Sequence, residues 1–528
     1  MSEKDPQDHR LDHIVALMFE NRSFDNLLGY LYTPSERPNF EGVLRTSFSN
    51  PVPRDVPGQE LGPVQVHPAK GYSSPFPDPG EEFPHVNTQL YSVIDPPSNR
   101  FADVDDMRTP FNAPTDASSD TASMQGFVAD FVNAYKWQMG RLPTRAQYEQ
   151  IMACYRPEHV PVLSGLARGF TVFDHWFCEV PSQTYPNRSF FHAGTSSGFV
   201  VNGPPGKFGT HNTAPTIFER LDAAGKSWKV YFDPLQFVPA TGLIHASRLA
   251  QYFSTHFTGM TDFYSDAKEG VLPNYAFIEP NMFHPHTDMH PHSGARLAED
   301  LGIPPPDTLA GGEHLLAQVY AAIRTSSASN GSNWSNTALL VTFDEHGGCF
   351  DHVSPPSAAP PDGAPTPGEQ GFRFNRSGVR IPTILVSAWT DPSSIVSTEF
   401  RSTSLIATLR DWWQLGEPLT HRDSSAASFL PVLRRSTPVL PENWPDVTPR
   451  RVGPVGKVVD WIETLAEDAE VRFDRLEHEL LGETLQWEFA QGMGPAPPDV
   501  SGISHGEAHE HFRRAGGSLF PQVVLPKR

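Results

Sequence analysis

Cysteines and long apolar runs are both scarce in this sequence, and each scarcity excludes a class of protein. Only three cysteines occur in 528 residues, and such an odd, sparse set argues against a disulfide framework. The longest apolar runs reach about six residues, whereas a transmembrane helix needs about 20. The amino terminus has no basic segment followed by an apolar one, so no secretory signal is visible. We therefore expect a cytoplasmic protein without a transmembrane segment, or a secreted or periplasmic one if a leader was removed.

Basic residues are also few. The sequence has 40 Lys and Arg residues against 61 Asp and Glu residues, for a net charge of -21. Nucleic-acid phosphates and anionic lipid surfaces both require a basic patch, so we expect neither as an electrostatic partner. The phosphate-binding loop of nucleotide enzymes and the H-E-x-x-H helix of zinc proteases are absent as well.

Short apolar runs alternate with helical patterns along most of the chain. Runs typical of buried strands occur at residues 14–19, 228–232, 275–278, 338–343 and 381–387, and residues 162–173 have the pattern of a helix followed by a strand. Helical spacing occurs near residues 24–31, from 124 onward, and at 216–224, 314–324 and 405–413. This alternation predicts an α/β fold with a mainly parallel central sheet. In such sheets ligands bind beyond the carboxyl ends of the strands, so a functional site is expected there.

Two parts of the chain depart from this alternation. Proline makes up 53 of the 528 residues, which favours long ordered loops, and residues 32–123 are rich in Pro, Gly, Ser and Asp with little periodicity. We interpret them as a lid-like insertion in a catalytic domain at 1–435. Residues 436–528 would form a helical extension, because apolar residues at steps of three and four predict an amphipathic helix at 458–480.

Acidic side chains follow two of the predicted strands directly. Glu20 and Asn21 come after the first strand, and Asp344 and Glu345 come after the strand at 338–343. Their oxygen atoms suit Mg, Ca, Mn or sometimes Zn, and a buried carboxylate needs a cation or another partner. The alternative is that each carboxylate pairs with an arginine or caps a helix.

A threonine in the segment P-S-Q-T-Y-P-N-R is a candidate nucleophile. Thr184 precedes Pro186, which places it near a helix amino terminus, where backbone N–H groups favour an anion. Its hydroxyl could attack phosphorus, or it could simply cap the helix. Arg188 could contact phosphate oxygens, or it could form a salt bridge.

Histidines supply further candidates. His352, after Asp351, could contact a phosphoryl group or protonate a leaving group, or it could be a satisfied buried imidazole. His85 lies in the insertion and is expected to project into the cleft. A histidine-rich loop has spacings that are weak evidence for a metal site, and we favour exposed or phosphate-contacting roles for most of its members, His284, His286, His290 and His292.

Several blocks, taken in order, resemble the bacterial phosphoesterase family of phosphatidylcholine-type phospholipase C and the related acid phosphatase. The resemblance covers about residues 13–433, and no single block would be specific. The blocks are E-N-R-S-F-D at 20–25, P-S-Q-T-Y-P-N-R at 181–188, H-P-H at 290–292, D-E-H-G-G-C-F-D-H-V-S-P-P at 344–356, R-I-P-T-I-L-V-S at 380–387 and L-T-H-R-D at 419–423.

The resemblance implies an alkaline-phosphatase-like three-layer α/β sandwich and one divalent cation. Thr184 would be both ligand and nucleophile, and His352 and His290 would contact the phosphoryl group, with His352 the better acid. Two departures concern substrate choice: Arg401 stands where a family histidine is usual, and the histidine usual after D-P in the insertion is displaced to His85 at best. The implied cation ligands are Glu20, Asn21, Thr184, Asp344 and Glu345.

The sequence therefore predicts a metal-assisted, phospholipase C-like hydrolase with a phosphothreonine intermediate. A soluble phosphomonoester or phosphodiester is the alternative substrate, and His85 and His292 are expected to contact substrate. A non-catalytic binding protein of the same fold would require a broken site, and all five ligand positions are intact.

Overall fold

An eight-stranded sheet forms the centre of the molecule. The computed structural model describes residues 11–72, 75–283, 286–291, 308–363, 367–450, 475–491, 493 and 505–523. The strands of this sheet, numbered in chain order, are β1 His13–Phe19, β2 Thr171–Phe173, β3 Trp228–Phe232, β4 Phe257–Gly259, β5 Tyr275–Glu279, β6 Thr337–Phe343, β7 Thr383–Val386 and β8 Ser394–Val396.

The spatial order of the strands is β8-β2-β7-β6-β1-β5-β3-β4. All neighbouring pairs are parallel except those that β7 makes with β6 and β2, so the sheet is mainly parallel, as predicted. Apart from His13, every residue of β1, β5 and β6 is buried. Continuous apolar runs fit these strands because both faces of the sheet are covered.

Helices supply the outer layers. The helices are α1 Phe24–Leu28, α2 Phe83–Tyr91, α3 Phe127–Met139, α4 Arg145–Glu149, α5 Pro161–Gly169, α6 Thr184–Ala193, α7 Lys207–His211, α8 Ile217–Ala223, α9 Ala240–Ile244, α10 Ala246–Leu249, α11 Phe253–His256, α12 Met260–Glu269, α13 Thr308–Thr325, α14 Ser404–Trp413, α15 His421–Ser424, α16 Arg475–Ala490 and α17 His505–Leu519. In one group of helices α13 contacts both α5 and α12, and in a second group α6 contacts both α8 and α14.

The structure differs from the sequence predictions in a few places. Helix α3 begins three residues after Met124, whose positive φ of 57° interrupts a helical backbone. The insertion is less irregular than expected, since it contains α2. Strands β4 and β8 have only three residues each, too few to show a period, and were not predicted.

The C-terminal helices pack on the rest of the molecule. Of the amphipathic helix predicted at 458–480, residues 458–474 lie outside the described residues, and α16 covers the remainder. Helix α16 packs against α7, α9 and α17. The boundary between the two predicted domains stays a prediction. Among the helices that are described, none is both long and apolar enough to cross a membrane.

Candidate active site

The ends of β1 and β6 bring four polar side chains together, as the sequence predicts. These strands are parallel neighbours and Phe19 is paired with Phe343, so the residues that follow each strand are adjacent. The backbone N–H of Asn21 donates to Oδ1 of Asp344 at 3.1 Å. Glu20, Asn21, Asp344 and Glu345 are all fully buried. The site is therefore a product of strand register between segments more than 300 residues apart.

Two glycines let neighbouring segments approach the end of β6. Gly347 has a φ of +60°, and a Cβ there would lie 2.2 Å from the carbonyl oxygen of Asn21. Gly348 has a φ of +62°, and a Cβ there would lie 2.6 Å from the carbonyl oxygen of Gly80 in the insertion. The glycine pair thus allows both the β1 turn and the insertion to pack against the acidic pair.

Helix α6 presents Thr184 to these side chains. Thr184 is the first residue of the helix, and its Oγ1 lies 3.2 Å from Oε2 of Glu20 and 3.5 Å from Oδ1 of Asn21. Asn187 fixes the turn before the helix, because its Oδ1 accepts from the backbone of Glu179 and Val180. The predicted helix start is confirmed, and the P-S-Q-T-Y-P-N-R spacing reflects this local geometry.

Arg188 lies one turn further along α6 and is 1% exposed. Its guanidinium hydrogen-bonds Glu20, lies 3.3 Å from Oδ2 of Asp344 and 3.8 Å from Oε2 of Glu279. In this structure Arg188 forms the salt bridges that were its alternative role. Its contact with phosphate oxygens stays a prediction.

The acidic side chains carry more negative charge than Arg188 can balance. Burial and the neighbouring Asp344 raise the pKa of Glu20 well above its ordinary value, although Arg188 lowers it. Burial and Asp344 likewise raise the pKa of Glu345. The Oε1 atom of Glu345 is buried without a hydrogen-bond partner. An all-oxygen set with an unpartnered buried oxygen is compatible with a divalent cation.

The insertion and the loop after β5 add side chains to the site, of which His290 was named from the sequence and Asp78 and Glu81 were missed. The amide nitrogen of Asn21 donates to Oε2 of Glu81 and lies 2.7 Å from Nε2 of His290. Asp78 lies 4.0 Å from Nδ1 of His290. The acidic segment D-P-G-E-E was visible in the sequence, but nothing in it indicated contact with a strand end 60 residues earlier.

His352 belongs to a separate cluster. Its Nδ1 lies 2.6 Å from Oδ2 of Asp25, its Nε2 lies 3.1 Å from Oε1 of Glu41, and its ring packs on Phe48. Burial lowers the pKa of His352, but Asp25 raises it more, so the net shift is upward. Within the described residues no hydrogen bond or ion pair joins His352 to Thr184. Its role as the acid stays a prediction.

Each of the other residues named from the sequence either pairs with a carboxylate or lies outside the described residues. His85 is buried on α2, with Nδ1 at 2.8 Å from Oδ1 of Asp130. His286 pairs with Asp288, and Arg401 pairs with Glu399. The contact of His85 with substrate stays a prediction. Two histidines of the histidine-rich loop lie outside the described residues, His284 and His292.

Comparisons with known proteins identify relatives over most of the chain. The sequence model of the Phosphoesterase family matches residues 11–416. "Non-specific phospholipase C6" of Arabidopsis thaliana is 31% identical over 472 residues, covering 83% of this chain and 75% of its own. "Phospholipase C A" of Mycobacterium tuberculosis is 27% identical over 434 residues, covering 76% and 72%.

A solved alkaline phosphatase superfamily protein from Vibrio parahaemolyticus covers 57% of this chain and 78% of its own, at 13% identity. Its TM-score of 0.30 is too low to support an argument. The match of the family model is decisive because it spans both strand ends, α6 and the D-E-H-G-G-C-F-D-H segment. The chain therefore belongs to the Phosphoesterase family and is a phosphoric ester hydrolase.

Proposed function

We propose that this chain is a phospholipase C-type hydrolase that forms a phosphothreonine intermediate at Thr184 with the help of a divalent cation. The observation that carries the proposal is the position of the Thr184 hydroxyl, 3.2 Å from Glu20 and 3.5 Å from Asn21, at the start of a helix. A hydroxyl beside buried carboxylates and a helix amino terminus is placed to attack an electrophilic phosphorus.

The residues that would hold the cation are the carboxylates and the amide at the strand ends, with Thr184 completing the set. When bound, a divalent cation neutralises charge on the phosphoryl oxygens and lowers the pKa of a nearby hydroxyl. Oε2 of Glu20 already accepts the hydrogen bond from Thr184, so it is the nearest acceptor for the proton of the attacking hydroxyl. The strand-end ligands are Glu20, Asn21, Asp344 and Glu345.

The reaction proceeds in two displacements. The Oγ1–P bond of Thr184 forms as the bond from phosphorus to the leaving alcohol breaks, and His352 gives that alcohol a proton. Its raised pKa suits this role because more imidazole is protonated near neutral pH. His290 contacts the phosphoryl group. Water then attacks the phosphothreonine, which restores the hydroxyl and releases phosphate or a phosphomonoester head group.

The names of the relatives favour a phospholipid substrate. Relatives named phospholipase C match about four fifths of this chain at about 30% identity. A soluble phosphomonoester or phosphodiester is the alternative, since the reacting groups would be the same. A non-catalytic binding protein of the same fold is disfavoured, because every proposed cation ligand retains an oxygen donor.

A substrate panel tests the function. Phosphatidylcholine in mixed micelles, p-nitrophenyl phosphate and bis(p-nitrophenyl) phosphate are assayed with Mn²⁺ and with a chelator. We expect diacylglycerol release from the lipid, lost with the chelator. Turnover of the nitrophenyl esters alone would favour the soluble-substrate alternative, and no turnover of any ester would favour the binding protein.

Variants at Thr184 test the intermediate. Thr184→Ala should lose at least about 10³-fold in turnover, as expected when a nucleophile is removed. Thr184→Ser keeps a hydroxyl and should retain measurable activity, and the exposed Thr213 provides the control Thr213→Ala. Acid quenching with phosphatidylcholine labelled with ³²P should label the wild type and not Thr184→Ala. Equal activity of Thr184→Ala and wild type would overturn the nucleophile assignment.

A further inference from the structure

A second group of potential metal ligands lies next to the strand-end carboxylates. The insertion brings Asp78 and Glu81 to His290, and one possible ligand atom from each of the three lies within 4.8 Å of the others. Nε2 of His290 lies 3.8 Å from Oε2 of Glu81, and the other ring nitrogen, Nδ1, lies 4.0 Å from Oδ1 of Asp78. The side chains of Glu81 and His290 are 9% and 6% exposed, so the group is largely shielded from water.

These separations are slightly larger than those between three ligands of one ion. Oxygen and nitrogen ligands bind Zn²⁺ at about 2.1 Å, so two of them can lie at most about 4.2 Å apart. One ligand atom from each residue, with a single ring nitrogen of His290, lies within 4.8 Å of the others, so a small contraction would bring all three side chains into range. Two carboxylates and an imidazole suit Zn²⁺ or Mn²⁺.

A separate observation also points to a cation at this place. The carboxyl groups of Glu81 and Glu345 lie within hydrogen-bonding reach of each other, and Oε1 of the fully buried Glu345 has no hydrogen-bond partner. Two buried carboxylates that face each other need a proton or a cation between them. In the described part of the chain no lysine or arginine pairs with Glu81.

Asn21 lies between the two groups. Its Oδ1 faces Thr184, while its amide nitrogen faces Glu81 and His290. Glu345 likewise has one neighbour in each group, since Asp344 precedes it and Glu81 faces it. The second group is therefore contiguous with the strand-end ligands. Its own carboxylates, Asp78 and Glu81, come from the insertion.

We propose that Asp78, Glu81 and His290 bind a second divalent cation next to the one expected at the strand ends, with Glu345 facing both. This goes beyond the single cation in the proposed function. The inference concerns cation binding and does not depend on the reaction catalysed. The second cation would offset the charge of Glu81, which otherwise opposes the approach of a phosphate ester.

Metal stoichiometry tests the proposal. The chelator-stripped full-length protein is dialysed against Mn²⁺ or Zn²⁺ in high salt, and the bound metal is measured by mass spectrometry. We expect two equivalents for the wild type and one for Glu81→Gln. The control Glu60→Gln removes an exposed carboxylate of the same insertion and should keep two. Circular dichroism checks that each variant is folded.

The remaining outcomes overturn the second site. One equivalent in both the wild type and Glu81→Gln, bound more weakly in the variant, would make Glu81 an orienting partner of Asn21. Loss of both ions in Glu81→Gln would place Glu81 in the first site. Two equivalents in Glu81→Gln would locate the second ion elsewhere. A wild type that binds two ions but hydrolyses no ester would contradict the proposed function alone.

Discussion

The positive charge of Arg188 balances part of the negative charge of the buried carboxylates in the site. Its guanidinium pairs with Glu20, Asp344 and Glu279, and all four side chains are shielded from water. Burial alone lowers the pKa of Arg188, but the carboxylates raise it overall, so the Arg188 guanidinium stays protonated. Removing one partner of a buried ion pair leaves the other charges uncompensated.

Substitution of Arg188 should therefore destabilise the protein. We expect Arg188→Met to lower the free energy of unfolding by about 3–5 kcal/mol, measured by urea denaturation of the metal-free chain. Arg513→Met is the control, because Arg513 pairs with Glu510 in an exposed position where ion pairs contribute little. Equal stability of the two variants would show that the buried cluster compensates its charge in another way.

The pair of His352 and Asp25 predicts a pH dependence of stability. The pKa of His352 is raised, so its contribution is complete below the unfolded-state pKa of about 6.5 and is lost as pH rises through the folded-state value. The pKa of Asp25 is lowered, because His352 and Arg380 outweigh the effect of burial. Its contribution is present above about pH 3.9 and is lost as pH falls.

The comparison of wild type with His352→Gln measures this effect. The difference in free energy of unfolding should be largest between about pH 4 and 6.5 and should shrink at higher pH. Urea denaturation of both proteins from pH 4.5 to 9 provides the measurement. A difference that stays constant over this range would mean that the pKa of His352 is the same in the folded and unfolded protein.

The loop after β6 is where two elements must approach each other closely. The carbonyl oxygen of Asn21 lies where a Cβ on Gly347 would be, and the φ of Gly347 is +60°. A residue with a side chain at this position would have to adopt an unfavourable left-handed backbone conformation. Its Cβ would also clash with backbone atoms, which cannot move aside as a flexible side chain can.

Gly347→Ala should lower both stability and turnover. The left-handed backbone alone costs about 1–2 kcal/mol, and we expect a larger loss because the turn that carries Asn21 must shift. Gly140→Ala is the matched control, since Gly140 has a φ of +72° and open space around its Cβ position. Thermal unfolding and ester hydrolysis are measured for both. Similar results for the two variants would show that the clash is relieved without cost.

The C-terminal helices share the hydrophobic core of the rest of the molecule. The ring of Phe512 lies 4.9 Å from that of Phe283, and Phe520 lies 4.9 Å from Phe253. Glu479 on α16 accepts a hydrogen bond from the amide nitrogen of Asn202, whose oxygen accepts from the backbone of Tyr185, next to Thr184. The extension is therefore linked through Asn202 to the start of the helix that bears the candidate nucleophile.

This packing predicts that the C-terminal helices and the rest of the molecule unfold together. Phe512→Ala should cost about 3–5 kcal/mol, as is usual for a buried phenylalanine. Phe489→Ala is the control, because Phe489 on α16 is 48% exposed. A single calorimetric transition that shifts for Phe512→Ala alone is the expected result. Two transitions, of which only a minor one shifts, would identify an independent domain.

Most of the buried strands could be predicted because a strand buried on both faces has a continuous apolar sequence. The runs at 14–19 and 338–343 are continuous and apolar, and the acidic residues that follow them mark the strand ends. Parallel neighbours then place Glu20 beside Asp344. Strand β7 was also predicted, but its antiparallel direction was not, because a buried run has the same composition in either direction.

Local sequence determined most of the buried strands, the start of helix α6, and which side chains follow β1 and β6, since these depend on neighbouring residues. Tertiary structure alone decided that Glu81 and His290 reach Asn21, that Arg188 pairs with three carboxylates, and that His352 pairs with Asp25. Such contacts join segments that are distant along the chain and leave no periodic pattern. Only the packed fold, which brings the insertion and the strand ends to one place, determines them.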